Sequence, residues 1–329
     1  MTQQAEDMGI VVQKAGGPEV LEWTRVDTAA PGPNEVRLVQ KAIGVNFIDA
    51  YFRSGLYPWP STPLIPGGEA AGVVVDVGAG VKDFKPGDRV AYTLAAGAYR
   101  TRRVVPADRL VNLPTAIPFE VAASIMLKGL TAQYLIHSSF KVMPGHTVLV
   151  HAAAGGVGLL MGQWLKALGA KAIGTVGSAE KATLALQNGY AHVINYKTED
   201  FVARVADIAG PKGCDVVYDS VGKDTWRGSL KSLKRRGMFV SFGQSSGPIA
   251  EFGIADLHAG GSLYACRPSL FDYIAAPADL QARAADLFAR IGNGDIKSHI
   301  GQRVALRDAA QAHRDMESRR TVGATILLP

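Results

Sequence analysis

The sequence predicts an α/β protein built from an irregular β-rich unit and a doubly wound parallel sheet. Three observations carry this. The chain has 329 residues, more than one small core accommodates. Residues 1–125 are rich in Gly, Pro and Val and run in short apolar or alternating segments broken by tight turns. From about residue 145 to 266, strand-like and helix-like segments alternate regularly.

In the first part, Val36-Arg37-Leu38-Val39 and Gly72 to Val77 read as strands, and Phe47 to Phe52 as a short helix. Lys85-Pro86-Gly87-Asp88 is a turn leading into the strand Arg89-Val90-Ala91-Tyr92. In the second part the strands are Thr147–His151, Lys171–Val176, His192–Asn195, Asp215–Tyr218, Met238–Phe242 and Ser262–Cys266. Helices Gly156–Leu168, Ala179–Asn188, Asp200–Ala209, Thr225–Leu233 and Ile254–Ala259 fall between them. Six strands joined by helices imply a parallel sheet covered on both faces, the dinucleotide-binding arrangement. After Pro277 a helix over Asp279 to Ile291 leads away, and residues after about 275 are expected to return to the first part.

Hydrophobic residues make up 47% and charged residues 19% of the chain, as in ordinary globular proteins. There is no apolar run long enough for a transmembrane helix. Met1 to Met8 is polar and acidic, unlike a signal peptide, so a cytoplasmic location is expected. Cys214 and Cys266, both in apolar surroundings, read as small buried hydrophobes. The net charge of +6 is spread out, with small clusters at Lys234-Arg235-Arg236, Arg102-Arg103 and Arg319-Arg320. None interleaves with aromatics, so nucleic acid is not the expected partner.

The sharpest motif is His151-Ala152-Ala153-Ala154-Gly155-Gly156-Val157-Gly158, between the strand Thr147–Val150 and a helix. Small residues at this bend let the backbone approach a pyrophosphate, and the helix start favours its negative charge. A site for NAD places Asp or Glu at the end of the second strand. Here that strand ends in Val176-Gly177-Ser178, and Lys181 follows. A missing carboxylate with a cation in reach favours the extra phosphate of NADPH. His151, at the end of a buried strand, reads as a hydrogen-bonded structural residue.

The chain resembles the zinc-independent quinone oxidoreductases related to zeta-crystallin, in the medium-chain dehydrogenase/reductase superfamily. The resemblance spans nearly the whole length. It runs through Gly16-Gly17-Pro18-Glu19-Val20-Leu21, Gly44-Val45-Asn46-Phe47-Ile48-Asp49, Ile65-Pro66-Gly67-Gly68-Glu69-Ala70-Ala71-Gly72 and Leu127-Lys128-Gly129-Leu130-Thr131-Ala132. It continues through the glycine turn, Val193-Ile194-Asn195-Tyr196, Tyr218-Asp219-Ser220-Val221-Gly222, Phe242-Gly243-Gln244-Ser245-Ser246-Gly247 and Arg267-Pro268-Ser269. The resemblance implies a GroES-like catalytic domain from residues 1–127 and 276–329, around a Rossmann NADPH-binding domain at 128–275. It departs from the alcohol dehydrogenase branch, which has Cys where Asn46 stands and Gly-His-Glu where this chain has Gly67-Gly68-Glu69. Two of three catalytic zinc ligands are thus missing, and Glu69 alone reads as a structural carboxylate.

By the same resemblance, Gly155, Gly156 and Val157 hold the pyrophosphate. Gly177, Ser178, Lys181 and Tyr196 surround the adenosine phosphate, with Arg319 joining them and Arg320 as its local competitor. Phe47, Ile48, Asp49, Lys128, Tyr134, Val221, Gly243, Gln244, Ser245, Ser246, Pro268, Ser269 and Leu270 are the expected nicotinamide side. The candidate polar groups for the chemistry are Asn46, Asp49, Tyr51, Tyr57 and Arg267. Structural roles compete for each: Asn46 as a turn cap, Tyr51 as a half-buried core aromatic, Asp49 as a helix-start carboxylate, Arg267 as a carbonyl or phosphate anchor. For Lys128 a packing or helix-dipole role competes. The expected reaction is hydride transfer from NADPH to a quinone, with reduction of an enone or enal double bond as the main alternative and non-catalytic NADPH or RNA binding as a lesser one. A homodimer is expected, paired along the Ser262–Cys266 edge.

Overall fold

The computed structural model describes residues 6–329; residues 1–5, most of the polar start of the chain, lie outside it. Two compact units are formed. One takes the chain through Lys128 together with Ile274–Gly292 and Ser298–Pro329, and the other Gly129–Tyr273 with Asn293–Lys297.

The first unit opens with the hairpin β1 (Met8–Val11) and β2 (Glu22–Arg25), followed by the long strand β3 (Glu35–Val45) and the short helix α1 (Phe47–Arg53). Strands β4 (Glu69–Val77), β5 (Arg89–Thr93), β6 (Arg102–Pro106) and β7 (Leu110–Asn112) follow, then helix α2 (Phe119–Tyr134), within which the unit boundary falls. In β3, buried Val36, Leu38, Gln40 and Ala42 alternate with more exposed neighbours, the period of a strand with one face on a core.

The second unit holds β8 (Thr147–Val150), α3 (Gly156–Ala167), β9 (Lys171–Val176), α4 (Ala179–Gln187), β10 (His192–Asn195) and α5 (Phe201–Ala209). It continues with β11 (Cys214–Asp219), α6 (Trp226–Lys231), β12 (Leu233–Ser241), α7 (Ile254–Ala259), β13 (Tyr264–Cys266) and α8 (Leu270–Tyr273). The chain then returns to the first unit through α9 (Pro277–Gly292), β14 (Ile300–Ala305), α10 (Ala309–Glu317) and β15 (Ala324–Leu328).

The sheet of the second unit has the order β10-β9-β8-β11-β12-β13, every pair parallel. Numbered within the unit this is 3-2-1-4-5-6, the Rossmann order, whose reversal lies between β8 and β11. Its core packs Leu149, Ile173, Val217 and Phe239 against Trp226 and Leu230 of α6. The first unit's sheet runs β14-β15-β3-β4-β5-β7, with β6 also on β3. The C-terminal strand closes on the N-terminal segment, Thr325 opposite Val45, so both chain ends build one core.

Three expected elements shift. The strand expected at Met238–Phe242 begins at Leu233, so the helix expected at Thr225–Leu233 is confined to Trp226–Lys231. Between the two halves of β12, Arg236 at φ 60° makes an irregularity where the pairing with β11 shifts register. The last strand begins at Tyr264 rather than Ser262, because Ser262 sits at φ 57°, outside the extended region.

Candidate active site

The glycine turn sits where β8 ends and α3 begins, beside the sheet's reversal point. Ala152 adopts φ 55°, and its carbonyl accepts the N–H of Gly155 at 2.9 Å. A Cβ added to Gly158 would lie 2.5 Å from the Ala152 carbonyl oxygen and 2.7 Å from that of Ala153. Only glycine lets α3 start this close to the strand. The first α-helical bond closes from Leu159 N–H to the Gly155 carbonyl, 2.9 Å. The N–H groups of Gly156 and Val157 therefore precede the helical ladder and suit an anion.

His151 lies beneath this turn. Its Nδ1 meets Thr175 Oγ1 at 2.8 Å and its Nε2 meets Ser229 Oγ at 3.0 Å. Ser229 in turn donates to Asp219 Oδ2 at 2.7 Å, and Asp219 Oδ1 accepts the N–H groups of Val221 and Gly222 at 2.8 and 3.0 Å. Burial lowers the affinity of the imidazole for a proton. The ring thus braces the end of β8 to Thr175 of β9 and to Ser229 of α6. Thr175, Ser229 and Asp219 carry no sequence signal for this role, since 24 and 78 residues separate the two partners from His151.

At the end of β9, Val176 is buried and Ser178 caps α4, accepting the Lys181 N–H at 3.3 Å. A Cβ at Gly177 would stand 2.6 Å from the Tyr196 hydroxyl, so the glycine lets that ring lie across the strand end. Gly177, Ser178, Lys181 and Tyr196 are therefore one cluster. The position after the strand is free of acid as expected, but the surroundings, expected to hold no carboxylate, are not. Glu180 is exposed, and hydrogen bonds from its own backbone and the Ser178 hydroxyl pull its carboxyl below the usual range. A phosphate bound here needs a cation to offset that charge.

A cavity of about 390 Å³ in the same unit is lined by Ser241, Gly243, Gln244, Phe252, Cys266 and Arg267. Val221, Ser245, Ser246 and Ser269 keep some surface, as does exposed Arg267. Tyr134 and Leu270 are nearly closed off, at 2% and 6% exposure, and Pro268 is buried. Tyr134 stacks on Tyr273 with ring centres 4.4 Å apart. Arg319, exposed at φ 58°, follows α10, while Arg320 donates to Asp315 at 3.0 Å and to Ser318 at 2.9 Å.

The first unit contains a buried polar cluster around the start of α1. Asn46 N–H donates to Asp49 Oδ2 at 2.8 Å, closing the helix start, and Asn46 Nδ2 donates to Glu69 Oε1 at 2.9 Å. The carboxylate accepts only, so it fixes which way the amide points. Lys128 Nζ bonds the same Oε1 at 2.5 Å and Leu127 N–H donates to Oε2 at 2.6 Å. Glu69 is thereby a structural carboxylate with both oxygens occupied. Asp49 has no exposed surface, which speaks against its expected direct contact with a bound molecule. Lys128 is likewise almost closed off at 5% exposure. Phe47, Ile48 and Tyr51 keep surface, and Tyr51 packs edge-on to Tyr57 at 5.3 Å.

Behind Asp49 lies a row that no local spacing announces. Tyr99 O–H donates to Asp49 Oδ2 at 3.0 Å, and His313 Nε2 meets the same hydroxyl at 3.1 Å. Arg53 Nη1 donates to His313 Nδ1 at 2.9 Å while its Nη2 pairs with Glu317 at 2.6 Å. Burial pushes the Asp49 carboxyl up to about 7, against the lowering by the Asn46 N–H, Tyr99 and Lys128. It also pushes the Tyr99 hydroxyl well above its usual value, and with the Arg53 charge it pushes His313 down to about 3.

Residues 32–115 match the alcohol dehydrogenase GroES-like domain family and residues 156–289 the zinc-binding dehydrogenase family. A GroES-like domain carrying a Rossmann domain defines the medium-chain dehydrogenase/reductase class. The chain is 52% identical to a quinone oxidoreductase of Pseudomonas aeruginosa, over 95% of its own length and 97% of the relative's. A crystal structure of Escherichia coli quinone oxidoreductase complexed with NADPH is 49% identical, with a TM-score of 0.94 over 98% of this chain and 100% of that one. A 2-haloacrylate reductase from Burkholderia sp is 45% identical over 98% of this chain and 99% of its own. The chain belongs to the quinone oxidoreductase family of the medium-chain dehydrogenases/reductases.

Proposed function

We propose that the protein reduces quinones with NADPH, by hydride transfer and without zinc. The carrying observation is the glycine turn joined to the Gly177-Ser178-Lys181-Tyr196 cluster on a Rossmann unit. The bend fits a pyrophosphate, since Gly158 keeps α3 against the strand and two helix-start N–H groups stand ahead of the ladder. The cluster offers a hydroxyl, a phenol and a cation to a ribose phosphate. When bound, NADPH supplies the hydride.

Phe47 and Ile48, with exposed surface in the first turn of α1, are the proposed nicotinamide contacts on the first unit. Asn46 is the proposed donor to the acceptor: Glu69 takes one amide N–H and leaves a second. Such a donor steadies the oxygen on which negative charge develops. On the first unit, Tyr51 is proposed to line the acceptor's place. Zinc has no part because an amide and a glycine occupy the ligand positions, and Glu69 is already saturated.

The 45% identity to a 2-haloacrylate reductase favours one second reading, reduction of an activated carbon–carbon double bond. Turnover with NADPH separates the two: 1,4-benzoquinone is expected to be reduced much faster than a short enone or 2-chloroacrylate, and double-bond reduction alone would overturn the quinone reading. A homodimer is proposed along β13, an edge strand whose Tyr264 is 59% exposed; Ile254 of α7 is exposed as well. Sedimentation at micromolar concentration tests it, and a monomer there would dismiss it.

A further inference from the structure

We propose that Tyr99 and His313 are positioning residues for the reduction: they form a one-way run of hydrogen bonds that holds Asp49 Oδ2 as an acceptor, so that Asp49 takes up a proton only on Oδ1 and passes its change of charge to Asn46. The proposal rests on the reading of Asn46 as the residue that meets the acceptor.

The direction of the run follows from its far end. Arginine only donates, so His313 Nδ1, 2.9 Å from Arg53 Nη1, accepts and the ring hydrogen sits on Nε2. That Nε2–H then donates to the Tyr99 oxygen at 3.1 Å, which leaves the hydroxyl hydrogen for Asp49 Oδ2 at 3.0 Å. The Asn46 N–H reaches the same oxygen at 2.8 Å. Oδ2 therefore receives two donors in either charge state. Oδ1 is buried and has no hydrogen-bond partner among the described residues. It lies 3.7 Å from where a Cβ on residue 68 would stand, and Gly68 supplies none.

The charged and titratable groups facing Asp49 come from several elements: Glu69 on β4, Lys128 on α2, and Tyr99 before β6. Behind Tyr99 stand His313 on α10 and Arg53 on α1. Lys128 is paired with Glu69 and Arg53 with Glu317. With Tyr99 held protonated and His313 held neutral, Asp49 is the member of the run that changes charge at neutral pH. Its acid form leaves Asp49, Glu69 and Lys128 together neutral; its ionised form leaves them with one negative charge. A hydride brings negative charge to the acceptor, and the proton that completes the hydroquinone comes from solvent. The neutral set favours that step, so turnover is expected to fall as pH rises through the Asp49 midpoint.

Carbon-13 NMR of the aspartate carboxyls in the full chain tests the run, with Asp49→Asn identifying the resonance by its loss. The wild-type midpoint is expected near 7. Tyr99→Phe keeps the ring and removes a donor to the charged form, so the midpoint moves up, by about half a unit or more. His313→Leu, which frees the Tyr99 hydroxyl to turn, moves it the same way. His313→Gln restores the wild-type value, because its amide can accept from Arg53 and donate to Tyr99. The alkaline limb of kcat/KM for quinone shifts with each midpoint. An unmoved midpoint in Tyr99→Phe, or a Gln variant that behaves like Leu, overturns the run. Midpoints that move while the limb stays fixed overturn the link to Asn46, leaving quinone reduction, read from wild-type turnover, intact.

Discussion

At the residue scale, the two buried carboxylates of the first unit are satisfied in different ways. Glu69 carries a full complement of donors and a lysine, whereas Asp49 has one oxygen doubly bonded and the other bare. A carboxylate left half-satisfied in a low-dielectric setting loses its preference for charge, which is why Asp49 stands near 7. The helix-start role of Asp49 is legible from Asn46 and the short apolar helix after it. The Tyr99–His313 run is not, because Tyr99 stands 50 residues from Asp49 and His313 another 214 away, with no periodicity connecting them. Lys181 shows the opposite case: its place is legible from the strand end and the missing acid. The structure adds Glu180 beside Ser178, which makes a local cation more necessary. Lys181→Ala is expected to weaken NADPH binding at least about tenfold, one charge-assisted contact, with NADH changed less than about twofold. Fluorescence titration of both cofactors reads the difference; equal losses would contradict the phosphate role.

At the element scale, strands and helices of the second unit follow their sequence periods closely. Lys171–Val176, His192–Asn195 and Ile254–Ala259 fall where the pattern places them. The departures arise at Arg236 and Ser262, side-chain-bearing residues in left-handed backbone where glycine would have signalled the break. Ala152 takes the same left-handed backbone, but there the run of small residues marks the bend. Its geometry still depends on Gly158. Gly158→Ala places a methyl within 2.5 Å of the Ala152 carbonyl, so α3 has to move away from the strand. A stability loss of about 1–3 kcal/mol is expected, with a larger proportional loss of cofactor affinity than of Tm. A calorimetric melt alongside a binding titration checks it, and unchanged binding would show that the turn does not hold the pyrophosphate.

At the scale of the whole molecule, the sheet order 3-2-1-4-5-6 in the second unit puts the glycine turn at the point where strand order reverses. The first unit gathers its charged cluster from α1, β4, α2 and the C-terminal α10, and its sheet closes through β15 on β3. That the late segment comes back to the early one is legible from the resemblance rather than from local pattern, since no short motif marks β14 or β15. The irregular β-rich unit is legible in its turns but not in its pairing order, which long-range contacts decide. No helix among the described residues is long and apolar enough to cross a membrane. Anaerobic turnover with 1,4-benzoquinone and NADPH deuterated at C4 tests most directly whether the hydride of NADPH passes to a quinone. One hydroquinone per NADPH, formed more slowly from the deuterated cofactor than from the ordinary one, is the predicted result. Cofactor that binds and is never consumed by the quinone would contradict it.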